Sequence, residues 1–98
     1  MPQFSLHELQ GGQRVVNLQS DFLDFLQTRL VAPLQPLDQG PVPAKHMNPV
    51  FALQDGEFVL IIQSVAAVPV VALGHSIGDL SAERDKITRA LDMVFQGF

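Results

Sequence analysis

Asp55-Gly56 stands between two apolar-rich runs, residues 50–54 and 57–63, and no other feature constrains the fold as tightly. Asp-Gly favours the two-residue type I′ loop, whose twist matches that of the strands it joins. The chain therefore reads as antiparallel β structure at this point. The same grammar recurs upstream. Residues 3–9 alternate in part, with Phe4 and Leu6 between Gln3, Ser5 and His7, as a half-buried strand does. Gly11-Gly12 separates them from the Val-rich residues 14–18, so these two runs read as a second hairpin. Residues 29–34 predict another strand, ended by Pro33 and Pro36, and residues 66–73 one more. Pro69 lies inside the latter and marks an edge or a bulge, because proline cannot donate to a ladder.

Two segments are less regular. Residues 20–26, Ser-Asp-Phe-Leu-Asp-Phe-Leu, fit either a capped helical turn or a strand with a bulge. Residues 37–49 carry Gly40, Pro41, Pro43 and Pro49, which makes them an excursion or a long hairpin tip. After Gly74 and Gly78 the period changes. Ile87, Ala90, Leu91, Val94 and Phe95 recur at helical spacing, with Ser81 as N-cap and Gly97 as the residue that ends the helix. Strands followed by one helix give an α+β, mostly β chain, its sheet curled into a small barrel. At 98 residues it is read as one domain, 1–98.

A domain this short buries roughly 60–65 % of its unfolded surface, which gives dimerisation an energetic motive. With no cysteine, disulfides and thiolate metal sites are excluded, in keeping with a cytoplasmic protein. Residues 1–9 show neither a basic nor an apolar signal-peptide region, and the apolar run 58–73 is broken by Gln63, Ser64 and Pro69, so it reads as buried strands rather than a membrane span. Six Lys and Arg oppose ten Asp and Glu, for a net charge of −4. Arg84, Lys86 and Arg89 cluster, but Glu83, Asp85 and Asp92 lie among them. That balance argues against a nucleic-acid binder and for a basic protein surface as partner.

Catalytic patterns are not visible. His7, His46 and His75 are dispersed and form no metal-binding pair, so neither a metal nor another cofactor is implied. Ser20, Ser64, Ser76 and Ser81 lack a nucleophile-elbow context, and Asp21 and Asp24 read as capping and turn residues rather than an acid–base pair. The glycines form no phosphate-binding fingerprint. The chain instead ends on an apolar residue just beyond its helix, Phe95-Gln96-Gly97-Phe98, either an anchor for a partner or a cover for its own core.

Three segments together resemble the CcdB family of toxin–antitoxin modules: Gln19-Ser20-Asp21-Phe22-Leu23-Asp24 running on to Thr28-Arg29-Leu30-Val31-Ala32-Pro33-Leu34; Asn48-Pro49-Val50 with residues 63–73; and Asp79-Leu80-Ser81 with residues 84–97. The resemblance implies an SH3-like small barrel, a five-stranded antiparallel sheet plus a smaller three-stranded one, closed by a C-terminal helix. It implies a homodimer with the two helices near the twofold axis. It further implies a non-enzymatic toxin that binds the A subunit of DNA gyrase and traps the gyrase–DNA cleavage complex. A CcdA-like antitoxin would neutralise the toxin, and only through that complex would it meet DNA, at the shared promoter.

Carried over by position, the gyrase face comprises Gln96, Gly97 and Phe98, then Asp92 and Phe95, then Phe22 and Leu23. Family members end in Trp-Gly-Ile, so Gln96 replaces a stacking tryptophan and Phe98 an isoleucine. In a strand, adjacent Phe22 and Leu23 would face opposite ways, with one of them buried. Two alternatives stand beside this reading. The related MazF/Kid-like fold hosts endoribonucleases, for which Arg14, Arg29 and His7 could be recruited. The other is a CcdB-like homologue that has lost gyrase poisoning, which the Gln96 departure motivates.

Overall fold

The computed structural model describes residues 2–98; Met1, the first residue of the stretch read as lacking a signal peptide, lies outside them. Strands β1 (Ser5–Glu8) and β2 (Arg14–Asn17) form the expected hairpin, with Leu6 opposite Val16 and His7 opposite Val15. Its loop needs two glycines because Gly11 and Gly12 sit at φ +101° and +95°. The nine-residue β3 (Thr28–Pro36) pairs along β2 from Val31 to Leu34. β4 (Val50–Leu53) and β5 (Gly56–Leu60) form the second hairpin, followed by β6 (Ala66–Pro69) and β7 (Gly78–Asp79). The order β4-β5-β3-β2-β1-β7, with β6 also on β3, places all seven strands in one curled antiparallel sheet. Helix α1 (Arg84–Gln96) follows.

β3 runs longer than its prolines suggest. One edge pairs with β6 as far as Val31 opposite Ala66, then with β5 from Leu34 opposite Leu60. Pro33 lies at that change of partner, and its carbonyl accepts from Ile61 N–H at 2.9 Å. Its missing N–H therefore costs no ladder bond.

The Asp55-Gly56 hairpin forms, but not as type I′. Leu53 pairs with Gly56, which leaves Gln54 and Asp55 as the loop. Neither has the positive φ that type I′ requires; Gly56, at φ +133°, carries the unusual backbone instead.

The main core packs Phe4, Leu6, Val16, Leu34, Phe51, Leu60 and Ile62 against Ile87 and Ala90 of α1. Behind the sheet, Val15, Val31 and Leu73 form a second cluster. That second layer corrects the half-buried reading of β1, in which Ser5, Leu6 and His7 are all buried. It also splits the apolar run 58–73. Residues 58–62 are buried, whereas residues 66 and 67 are exposed where β6 lies at an edge. β6 stops at Pro69, and Val70–Ala72 turn as a 3-10 helix. The helix cap also differs. Ser81 opens a 3-10 turn, Ser81–Glu83, and Asp79 Oδ1 accepts the Ser81 N–H at 2.6 Å. Gly97 ends α1 as expected, at φ +83°, its N–H donating to Met93 O at 2.9 Å.

Candidate functional site

Helix α1 is held from one side. Ile87 and Ala90 are fully buried, Leu91 and Val94 partly, and the other face, with Lys86, Arg89 and Asp92, is exposed. The last turn consequently carries Asp92, Phe95, Gln96, Gly97 and Phe98 together at its exposed end. Phe95 is 68 % exposed although it lies on the apolar stripe, and Phe98 is 80 % exposed and does not cover the core. The left-handed Gly97 directs the chain off the helix axis and leaves Phe98 projecting.

Residues 20–26 resolve as the capped turn. Asp21–Leu23 form a 3-10 helix whose first N–H is satisfied by Ser20, Phe22 N–H donating to Ser20 Oγ at 3.2 Å. The cap is Ser20 rather than Asp21, whose Oδ1 instead accepts from the distant Gln3 N–H at 2.7 Å. Because the segment is a turn and not a strand, the expectation that Phe22 or Leu23 is buried fails. Phe22 is 92 % exposed and Leu23 is exposed too.

The residues after them were not singled out from the sequence, and they extend the same surface. Phe25, Leu26 and Leu30 are exposed, as is Val71, which lines a shallow cleft with Leu26. The signal was present in Phe22-Leu23-Asp24-Phe25-Leu26, a run with too many apolar residues for a turn that buries none.

Two buried polar side chains fix this turn. Gln19 Nε2 donates to the carbonyls of Leu23 and Thr28, at 3.0 and 3.2 Å. Arg29 donates to Leu26 O and Asp24 O at 2.6 Å each and to Thr28 O at 2.9 Å. The exposed aromatic residues thus ride on a backbone whose carbonyls are individually tied down.

The residues that could serve nucleic-acid cleavage are placed apart. His7 is fully buried, its Nδ1 lying 3.2 Å from both Leu73 O and His75 O and its Nε2 2.7 Å from Ser5 Oγ. Carbonyls only accept, so Nδ1 carries a proton directed at them. Arg29 is committed to its carbonyls. Arg14 is paired with Asp55 through bonds of 2.9 and 2.6 Å, which hold the Asp55 carboxyl below and the Arg14 guanidinium above their usual ranges. Among the described residues, no three His, Asp or Glu converge as a metal site, and no helix is long and apolar enough to cross a membrane.

The family model described as CcdB protein matches residues 3–97. A solved structure described as an Mtb toxin superposes with a TM-score of 0.73 at 19 % identity, covering 92 % of this chain and 99 % of that one. The Mycobacterium tuberculosis toxin MazF-mt6 superposes with the same TM-score, 0.73, at 20 % identity, covering 93 % of each chain. At these identities the two structures speak for the fold.

Proposed function

Because the chain belongs to the CcdB family of toxins from toxin–antitoxin modules, we propose that it acts by gripping the A subunit of DNA gyrase and holding the enzyme in its DNA-cleaved state. One observation carries this reading. The helix end bearing Phe95 and Phe98 is presented to solvent by a helix that is itself rigidly anchored at Ile87 and Ala90. An apolar side chain held out on a fixed element loses little freedom on docking, which is how aromatic anchors dominate interfaces. Phe22 and Leu23 supply a second apolar contact, and Asp92, Gln96 and Gly97 the polar and backbone surroundings.

The action is binding, not catalysis. The burial of His7 and of Arg29 supports this against an endoribonuclease, since both were candidates for that chemistry. The working form is a homodimer in which the apolar surface of Phe25, Leu26, Leu30 and Val71 is shared between the target and the second copy. A CcdA-like antitoxin neutralises the toxin in the cytoplasm and carries it to DNA for repression. No metal or other cofactor takes part.

Titrating the labelled chain with the purified gyrase A subunit tests the reading. Saturable binding that is lost when residues 96–98 are deleted supports it. Binding untouched by that deletion refutes the site, and no binding refutes the target.

A further inference from the structure

The Asp55-Gly56 pair that turns the second hairpin carries a chemistry of its own. Gln54, Asp55, Gly56 and Glu57 are all exposed, and a Cβ built on Gly56 would meet nothing within 4 Å. No side chain therefore shields the Gly56 peptide nitrogen, which follows directly on a carboxyl-bearing residue. That nitrogen can attack Asp55 Cγ. The N–Cγ bond forms, the Cγ–O bond breaks, and the oxygen leaves as water with the carboxyl and amide protons. A second water then opens the cyclic imide at the former peptide carbonyl, and the chain runs on through Cγ as an isoaspartate. The step needs no oxidant, reductant or cofactor.

Two features of the fold oppose it. The first is Arg14, whose Nη1 and Nη2 donate to Asp55 Oδ1 and Oδ2 at 2.9 and 2.6 Å, so both carboxylate oxygens face one cation. This fork holds the Asp55 carboxyl below its usual range, and an ionised carboxylate has no oxygen ready to leave as water. Arg14 is itself well placed to stay there. It stands on β2 opposite Glu8 on one side and Leu34 on the other, and its guanidinium lies 5.0 Å from the centre of the Phe58 ring. The second feature is the ladder. Gly56 pairs with Leu53 across the loop, which ties down the backbone that must rotate for ring closure.

We propose that Asp55-Gly56 is a site of spontaneous isoaspartate formation and that the Arg14 guanidinium, forked onto the Asp55 carboxylate, is the contact that holds it closed. The site is independent of the gyrase reading. Its modification matters to the fold. An isoaspartate adds a methylene to the backbone of a two-residue loop without changing the mass of the chain. Phe51 and Phe58 stand opposite each other on that hairpin, and both belong to the main core. Chains that have aged at residue 55 therefore lose register where two core aromatics depend on it.

Prolonged incubation of the folded chain in warm, near-neutral buffer tests the site. Isoaspartate is counted by methyl transfer from S-adenosylmethionine with an isoaspartyl methyltransferase and located by peptide mapping. Wild type accumulates it at residue 55, more slowly than a synthetic peptide of residues 52–58. Arg14→Gln accumulates it about five-fold faster than wild type, and Arg14→Lys, which keeps the charge and loses the fork, falls between. Asp55→Glu, whose longer side chain closes a less favourable ring, shows none there. Ile87→Ala separates guarding from general loosening, since it weakens the fold without touching Arg14 or Asp55, and it stays near the wild-type rate. Ageing of wild type as fast as the peptide, an unchanged rate in Arg14→Gln, or an equal acceleration in Ile87→Ala would each overturn the proposal.

Discussion

The guanidinium of Arg29 donates to the backbone carbonyl of Leu26 at 2.6 Å from a position that is only 5 % exposed. With the bonds to Asp24 and Thr28 it replaces the water that these carbonyls would otherwise need. Replacing Arg29 with Gln removes three bonds to part-buried carbonyls and is expected to cost about 1–2 kcal/mol. The drop is read from the urea midpoint. Gyrase affinity should fall as well, because the turn carrying Phe22 and Leu23 loses its brace.

The helix separates stability from function. Ile87→Ala empties a fully buried site and should cost about 2–4 kcal/mol. Phe98→Ala, at a residue that is 80 % exposed, should shift stability by less than about 0.5 kcal/mol yet remove growth inhibition. Deleting residues 96–98 should behave as Phe98→Ala does. Thermal unfolding beside a plating assay decides. A truncated chain that still kills would end the assignment.

What was legible in the sequence follows from where the forces are local. Gly11-Gly12, Asp55-Gly56 and the spacing of Ile87, Ala90 and Leu91 act within a few residues, so both hairpins and the helix could be read directly. Misreadings arose where a distant segment decides. β1 is buried on both faces because residues near Leu73 return to cover it, and β3 passes Pro33 because two different strands meet there. At the candidate site, Phe95 and Phe98 could be named from the chain. Their exposure could not, since it depends on which side of α1 meets the sheet. Phe25 and Leu26 escaped notice because a turn that buries none of its apolar residues breaks the usual pattern.

Gln96 stands where the resembling family has a stacking tryptophan, and it is exposed. Restoring that residue as Gln96→Trp should tighten gyrase binding by about thirtyfold, the equivalent of about 2 kcal/mol at an aromatic anchor. Titration of wild type and variant against the same gyrase A subunit measures it. An unchanged or weakened affinity would mean that Phe98 already fills the space.

Asp79 links folding to pH. Hydrogen bonds from Ser81, its side chain first and then its backbone N–H, hold the Asp79 carboxyl below the usual carboxylate range. A depressed folded pKa contributes stability above the unfolded value near ~4, and that stability is lost as pH falls through the folded value. Asp79→Asn should therefore be less stable than wild type at neutral pH, and the difference should shrink as pH falls through the folded value of Asp79. Denaturant midpoints across that range check the sign.

The central claim is poisoning of gyrase, and supercoiled plasmid incubated with gyrase, ATP and the purified chain, then stopped with detergent and protease, tests it most directly. The account predicts linear DNA that requires both gyrase and the chain and disappears when residues 96–98 are removed. Plasmid left free of breaks, with gyrase from a susceptible host and the chain in excess, would contradict it.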